Sequence, residues 1–364
     1  MSYLLCIETA NPAHLHQQHE LEAFYNAPLQ VNDSAIQRKI GAVARKSGIQ
    51  QRYSVLSDFG GKNNDQHFFY SEQPQNKLPG LTERMLIFRE EALKLSLKAV
   101  HAIKNFEKIR DKVTHIITVT CTGLFAPGLD IELARELGLK RTVQRSSINF
   151  MGCNAALLAL KQASHITRSE PGSLVLVVCT ELCTIHFQRD YSDDYILSNM
   201  LFADGSAAAL VGKPSAALSL YYRPLYMGQF HSLLLHEGHK HMAWSLSEKG
   251  FIMNLSAYVS GLLNTSFHEV LDENGIRREE IKHWAIHPGG KKILDDFCTS
   301  MTLSKHELAS SYHVLRNFGN MSSATILFVL KQLSSDNTVI SGEQIYTAAF
   351  GPGLSVESAI MHYV

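Results

Sequence analysis

Three side chains, far apart in the chain, have the types needed to move an acyl group. Cys153 follows a glycine in NFMGCNAALLALKQA, His287 stands in AIHPGG, and Asn320 stands in NFGNMSSA. A thiolate attacks thioesters, and the free N–H groups and positive dipole end of a helix start lower a thiol pKa. The alanine-rich run after Cys153 puts it at such a start. An imidazole can pair as imidazolium with the thiolate and later donate a ring N–H to a thioester oxygen. An uncharged amide NH₂ suits an oxyanion or enolate, where a carboxylate would repel the growing charge. The expectation is a thiolate at Cys153 held by His287, with Asn320 as a donor. A Cys/His/Asn set also serves thiol proteases, where the asparagine orients the histidine, and a lone cysteine also serves as a small buried filler. The glycine turn before Asn320 favours a donor aimed at substrate.

An internal repeat supplies the elements that would bring these residues together. HIITVTCTG (115–123) parallels KHWAIHPGG (282–290), and LVLVVCTE (174–181) parallels IYTAAFGPG (345–353). Asn149-Phe150-Met151-Gly152-Cys153 likewise parallels Asn317-Phe318-Gly319-Asn320, each before a helical run, and all three pairs are separated by roughly 170 residues. Two similar α/β halves are expected, 1–212 with the cysteine and 213–364 with the histidine and asparagine. Amphipathic runs such as Thr82 to Lys108 alternate with the strands, which argues for buried sheets covered by helices. Cys153 and Asn320 would then occupy equivalent helix starts and converge about a pseudo-twofold axis.

Composition narrows the class of partner. The chain has 364 residues, 45% hydrophobic, with 34 basic and 34 acidic side chains scattered along it. No electrostatic footprint for nucleic acid or an anionic membrane stands out, so the expected partner is a small molecule or a protein. No apolar run approaches the ~20 residues of a membrane span, and LLCIETA near the start reads as a strand without a basic signal region. A cytoplasmic protein is expected. The six cysteines include no Cys-x-x-Cys pair, so reduced thiols are expected.

At these motifs the chain resembles the thiolase superfamily and, within it, the type III polyketide synthases, the chalcone-synthase-like enzymes. The resemblance runs from IETANPA (7–13) to FGPGLSVES (350–358), and its most specific pieces are AIHPGG, GNMSSA and FGPGL. Ketoacyl synthases share the trio but normally follow the histidine with Gln-Ala-Asn rather than Pro-Gly-Gly. The resemblance implies a thiolase-like fold layered α-β-α-β-α, a homodimer, and acyl-CoA and malonyl-CoA as substrates with no cofactor. It implies that Cys153 carries the growing chain while His287 and Asn320 bind malonyl-CoA and stabilise the enolate left by decarboxylation. It further implies a gatekeeper in Phe202, cavity roles for Ser322, Phe350, Gly351 and Pro352, and CoA phosphate binding by Lys39 and Lys46. Ala42 stands at the third basic position.

Departures from the plant pattern fall at the cavity. Cys121, Cys183 and His186 stand in place of threonines, Trp244 in place of a glycine, Met253 in place of an aromatic gate, Ala126 in place of a methionine near the neighbouring subunit, and Ala349 in place of a glycine. They disfavour a plant-like aromatic starter, and the resemblance to bacterial relatives with Cys and Trp at such places implies aliphatic starters with alkylpyrone or alkylresorcinol products. A synthase making a single condensation, or a non-catalytic acyl-CoA-binding scaffold, are the alternatives. Two histidine clusters, His14/His16/His19 and His236/His239/His241, have zinc-like spacing but lack cysteines, so no metal is expected. Gly351-Pro352-Gly353 has no following Gly-Lys-Ser/Thr, which leaves it to shape a cavity roof rather than hold a phosphate.

Overall fold

The runs HIITVT and VLVVCTEL are buried at every position, the pattern of strands covered on both faces. The computed structural model describes residues 1–28, 33–60, 68–69, 78–214, 222–240, 242–255, 259–335 and 339–364, and only the backbone within 253–255, 259–260 and 264–266. Its strands are β1 Tyr3–Ala10, β2 His14–Gln17, β3 Gln51–Ser54, β4 His115–Thr120, β5 Gln144–Asn149, β6 Val175–Leu182 and β7 Asp204–Gly212. They continue with β8 Leu225–Leu234, β9 Met242–Ser247, β10 Gly250–Leu255, β11 Ile281–Ile286, β12 Gln344–Gly351 and β13 Ser355–Tyr363.

Nine strands form one sheet in the order β11-β12-β13-β8-β1-β7-β6-β4-β5, β2 and β3 pair as a separate two-stranded sheet, and β9–β10 is a hairpin. The order is a duplication. From the middle outward, β1-β7-β6-β4 and β8-β13-β12-β11 show the same sequence of antiparallel, antiparallel and parallel pairings. The halves join where Tyr3 pairs with Tyr226 and Leu4 with Leu225. The repeat read from the sequence is therefore the repeat of the fold.

Strand alternation sends side chains to opposite layers. In β6, Val175, Val177 and Cys179 face a core shared by both halves, and Leu176 and Val178 face an outer one. The shared core holds the helices Ala155–Ser169 and Ala324–Ser334, whose buried Ala155, Ala159 and Ala163 allow close approach. Outside the first half lies the helix Leu81–His101, through Phe88, Ala92 and Leu95. Outside the second lie Val259–Glu273 and Lys291–Ser300, through Leu263, Phe267 and Phe297. The layers run α-β-α-β-α. No helix among the described residues is long and apolar enough to cross a membrane.

Candidate active site

Cys153 lies two residues before the helix Ala155–Ser169, on a turn with positive φ at Phe150 (65°) and Gly152 (88°). A Cβ on Gly152 would sit 2.0 Å from Pro352 Cδ, so only glycine fits both the dihedral and the contact. Asn154 ties this helix start to the other half by donating from Nδ2 to Ser355 Oγ at 2.8 Å. The thiol of Cys153 is 3.7 Å from Ser322 Oγ and 4.0 Å from Asn320 Oδ1. The expectation of a lowered thiol pKa does not hold. Burial pushes Cys153 up to about 12, assisted by the Glu181 carboxylate, while Ser322 and Asn320 act in the opposite direction.

Asn320 precedes its helix by four residues, whereas Cys153 precedes Ala155 by two. The residue at the place of Cys153 is therefore Ser322, and Gly319 (φ 70°) stands where Phe150 stands. Asn320 is held instead by its backbone, which bridges Phe202 by donating to Leu201 O at 3.1 Å and accepting from Ala203 N–H at 2.9 Å. Its Oδ1 accepts the Ser322 N–H at 2.8 Å, which fixes the amide orientation. Nδ2 then points to the His287 turn, with only a 3.5 Å contact to Gly289 O. Its donors are available to a ligand.

His287 ends β11. Its N–H donates to Ala348 O at 2.8 Å, and Ser311 Oγ holds both the N–H and the carbonyl of Ile286 just before it. The ring is buried, and neither nitrogen has a hydrogen-bond partner among the described residues. Burial pushes its pKa down to about 3, which disfavours the imidazolium expected from the sequence.

A cavity of about 20 Å³ opens on Cys153 and is lined by Cys121, Cys183, Phe202, Trp244, Ser322 and Pro352 among others. A second, of about 40 Å³, lies behind Cys183, Phe202 and Trp244 and is closed by Leu21, Phe59 and Phe187. His186 faces the second cavity. Its Nε2 donates to Thr122 O at 2.8 Å, its Nδ1 accepts Phe251 N–H at 3.1 Å, and its ring stacks on Phe251. Burial pushes its pKa down to about 3. Trp244 Nε1 donates to Cys121 O at 2.7 Å. The hairpin β9–β10 is thus latched over both cavities.

One buried carboxylate escaped the sequence reading. Glu181 Oε2 accepts Cys121 N–H at 2.9 Å and the Thr122 hydroxyl at 2.8 Å, and Oε1 accepts the Ser323 hydroxyl from the other half. Burial raises its pKa. The signal was a lone acid closing the apolar run LVLVVCTE. Together, the thiol that opens on the cavity, the Asn320 amide beside it and the buried His287 imidazole are groups that can accept an acyl group and bind a developing oxyanion.

Residues 1–215 match the N-terminal domain of chalcone and stilbene synthases, and residues 229–364 match the C-terminal domain of the same enzymes. The chain belongs to the chalcone and stilbene synthase family. Among solved structures, it is similar to the C-terminal type III polyketide synthase domain of Steely1 from Dictyostelium, at 26% identity and a TM-score of 0.87, covering 100% of this chain and 99% of that one. The fold is also that of PKS-I from the brown alga Ectocarpus siliculosus, at 23% identity and a TM-score of 0.86, covering 100% and 98%. The protein is a type III polyketide synthase, an acyltransferase of a family that works on CoA thioesters without a cofactor.

Against that family's pattern the remaining expected site residues separate. Phe350 is outside the linings of these two cavities; it packs against Phe267 and shares a buried cluster with Cys153 and Phe202. Gly351 abuts Asn154, and Pro352 reaches the wall. Lys39 and Lys46 are exposed on the helix Ser34–Lys46, and Lys39 pairs with Asp193. Ala126 is exposed. Met253 pairs with Trp244 through the backbone, and its side chain lies outside what is described. His16 is buried with Nε2 on Leu56 O, His236 and His239 are exposed, and His241 lies outside the described residues. Among the described residues no three His, Cys, Asp or Glu gather as metal donors.

Proposed function

We propose that this type III polyketide synthase loads an aliphatic acyl-CoA starter on Cys153, extends it repeatedly with malonyl-CoA, and closes the chain to an alkylpyrone or alkylresorcinol. In loading, the Cys153 proton passes to His287, Sγ attacks the thioester carbonyl, and the CoA thiolate leaves with that proton. Malonyl-CoA then binds with its thioester oxygen against His287 and the Asn320 Nδ2 donors. The carboxylate bond breaks, carbon dioxide leaves, and the electron pair becomes an enolate held by those donors. Its carbon attacks the Cys153 thioester and Sγ departs. The observation that carries this reading is Asn320: its oxygen is committed to Ser322 N–H and its NH₂ is left for a ligand beside the unpartnered His287 ring.

The half 1–212 supplies the nucleophile and the half 213–364 the decarboxylation site, with Phe202 between the CoA side and the reaction cavity. Lys39 and Lys46, on one exposed helix, bind the CoA phosphates. The cavity at Cys153, lined mostly by apolar and aromatic side chains, supports an aliphatic starter. Exposed Leu124, Ile131 and Met151, near Ala126 and the edge strand β5, support a homodimer, which sedimentation tests. Free cysteines support a cytoplasmic setting. The deciding experiment is incubation with straight-chain and aromatic acyl-CoA starters and labelled malonyl-CoA, with products identified by mass. Cyclised alkyl products are expected. Linear β-keto products would favour single condensation, and no product from any starter would overturn the reading.

A further inference from the structure

Arg52, on β3, is 1% exposed, yet no carboxylate pairs with it among the described residues. Its Nη1 donates to the Phe202 carbonyl at 2.5 Å, while Nε and Nη2 have no partner. Asp204 acts on it through space, but the Asp204 oxygens already accept Val55 N–H, Thr184 N–H and the Thr184 hydroxyl at 2.9, 2.8 and 2.6 Å. Burial lowers the guanidinium pKa to about 9. A buried charge with one neutral acceptor is a poor source of stability, and an apolar side chain of similar volume would serve packing better. Its position calls for another explanation.

That explanation lies in what the guanidinium and its stem touch. Phe202, whose carbonyl it holds, is the residue bridged to Asn320, and the flanking Leu201 O and Ala203 N–H make the two backbone bonds to Asn320. On the other side, a Cβ on Gly319 would meet Ala203 Cβ at 3.1 Å, Leu201 O at 3.2 Å and Arg52 Cβ at 3.4 Å. The next residue, Tyr53, stacks on Phe318 at 6.0 Å. Arg52 is therefore in contact with both strands of the bridge. We propose that Arg52 is a positioning residue, which through the Phe202 carbonyl and the Gly319 backbone fixes where Phe202 stands between the cavities and where the Asn320 amide points.

This rests on the reading of Asn320 as a decarboxylation donor, so the test carries Asn320→Ala as its reference. In the full-length enzyme, Arg52→Met is compared with wild type for Cys153 acylation by a short starter, by intact mass, and for malonyl-CoA decarboxylation per acylatable site. Acylation should remain complete while decarboxylation kcat falls about 10- to 100-fold with KM within about twofold, as expected for a displaced transition-state donor. Arg52→Lys, which keeps a donor, should recover part of the rate. A lower melting temperature with decarboxylation per acylatable site unchanged would overturn the proposal. Where Arg52→Met does not fold, Arg52→Lys decides: a fall of at least about threefold supports positioning, and the wild-type rate refutes it. If Asn320→Ala itself decarboxylates normally, the role of Asn320 fails. If it is impaired and the Arg52 variants are not, only the role of Arg52 fails.

Discussion

Trp244 offers the sharpest test of where the starter lies. With Cys183 and Phe202 it separates the 20 Å³ cavity at Cys153 from the 40 Å³ cavity behind it. Trp244→Ala removes an indole from that wall and joins the two spaces. An acyl chain extending from Cys153 gains about 0.8 kcal/mol for each methylene it buries, which is about fourfold in kcat/KM. In the wild type this rise should stop at the length where the chain meets the wall. In Trp244→Ala it should continue, and two further methylenes would give about sixteenfold over wild type with the same starter. The costs run the other way. The Trp244 Nε1 bond to Cys121 O is lost, worth about 1 kcal/mol, and the half-buried ring leaves a void costing less than the ~3–5 kcal/mol of a fully buried aromatic. Melting temperature checks that the variant is folded, and Trp244→Phe, which keeps most of the ring but not the bond, separates wall from tether. The assay is initial rates over a series of straight-chain acyl-CoA starters at fixed malonyl-CoA. Identical chain-length profiles for wild type and Trp244→Ala would refute the placement of the starter against this wall.

Cys153→Ala should abolish starter loading, seen as loss of the acyl adduct by mass, whereas Cys153→Gln should leave malonyl-CoA decarboxylation measurable because His287 and Asn320 remain. Asn320→Ala should lower decarboxylation by about 10²-fold or more, the scale of removing one oxyanion donor, measured by carbon dioxide release. Since burial pushes the Cys153 thiol up to about 12, iodoacetamide inactivation of the free enzyme should quicken about tenfold per pH unit from neutral pH upward as thiolate forms. A plateau near neutral pH would instead reveal a preformed ion pair with His287. Gly152→Ala should cost about 2 kcal/mol or more and impair loading, because the new Cβ meets Pro352 at a φ of 88°, and a wild-type melting temperature would contradict this.

The duplication was legible because strand runs and glycine turns survive in both halves, and β4 and β6 do correspond to β11 and β12. The residue-level correspondence was not. Matching the letters NFMGC and NFGN sets glycine on glycine and Cys153 on Asn320. The helix starts at Ala155 and Ala324 instead set Phe150 on Gly319 and Cys153 on Ser322, with positive φ at both Phe150 and Gly319. At that position the positive φ was kept while the residue type changed, and a letter match cannot see that. Strand alternation sends Phe350 and Ala348 to the buried cluster that holds Cys153 and Phe202, and Ala349 to the core shared by the halves. The buried charges Glu181 and Arg52 were invisible because their partners, hydroxyls and a backbone N–H for Glu181 and a carbonyl for Arg52, come from distant segments that no local pattern records.

The thiol pKa shows which physical effect governs the site. The helix start acts over its first turn and contributes at most about 2 kcal/mol, whereas a thiolate here loses nearly all contact with water. Burial wins at Cys153, and the same burial disfavours an imidazolium at His287. Each charge alone is costly where it is buried, and a thioester that takes the developing charge would offset that cost. Glu181 strengthens that condition. Its carboxylate disfavours a lone thiolate at Cys153, and its bonds to Cys121 N–H and the Ser323 hydroxyl join the two halves next to the nucleophile. Burial and the neighbouring carboxylate disfavour a lone thiolate in a cavity walled by Trp244 and Phe202. Reactivity is thus conditional on the ligand that supplies the missing charge partner.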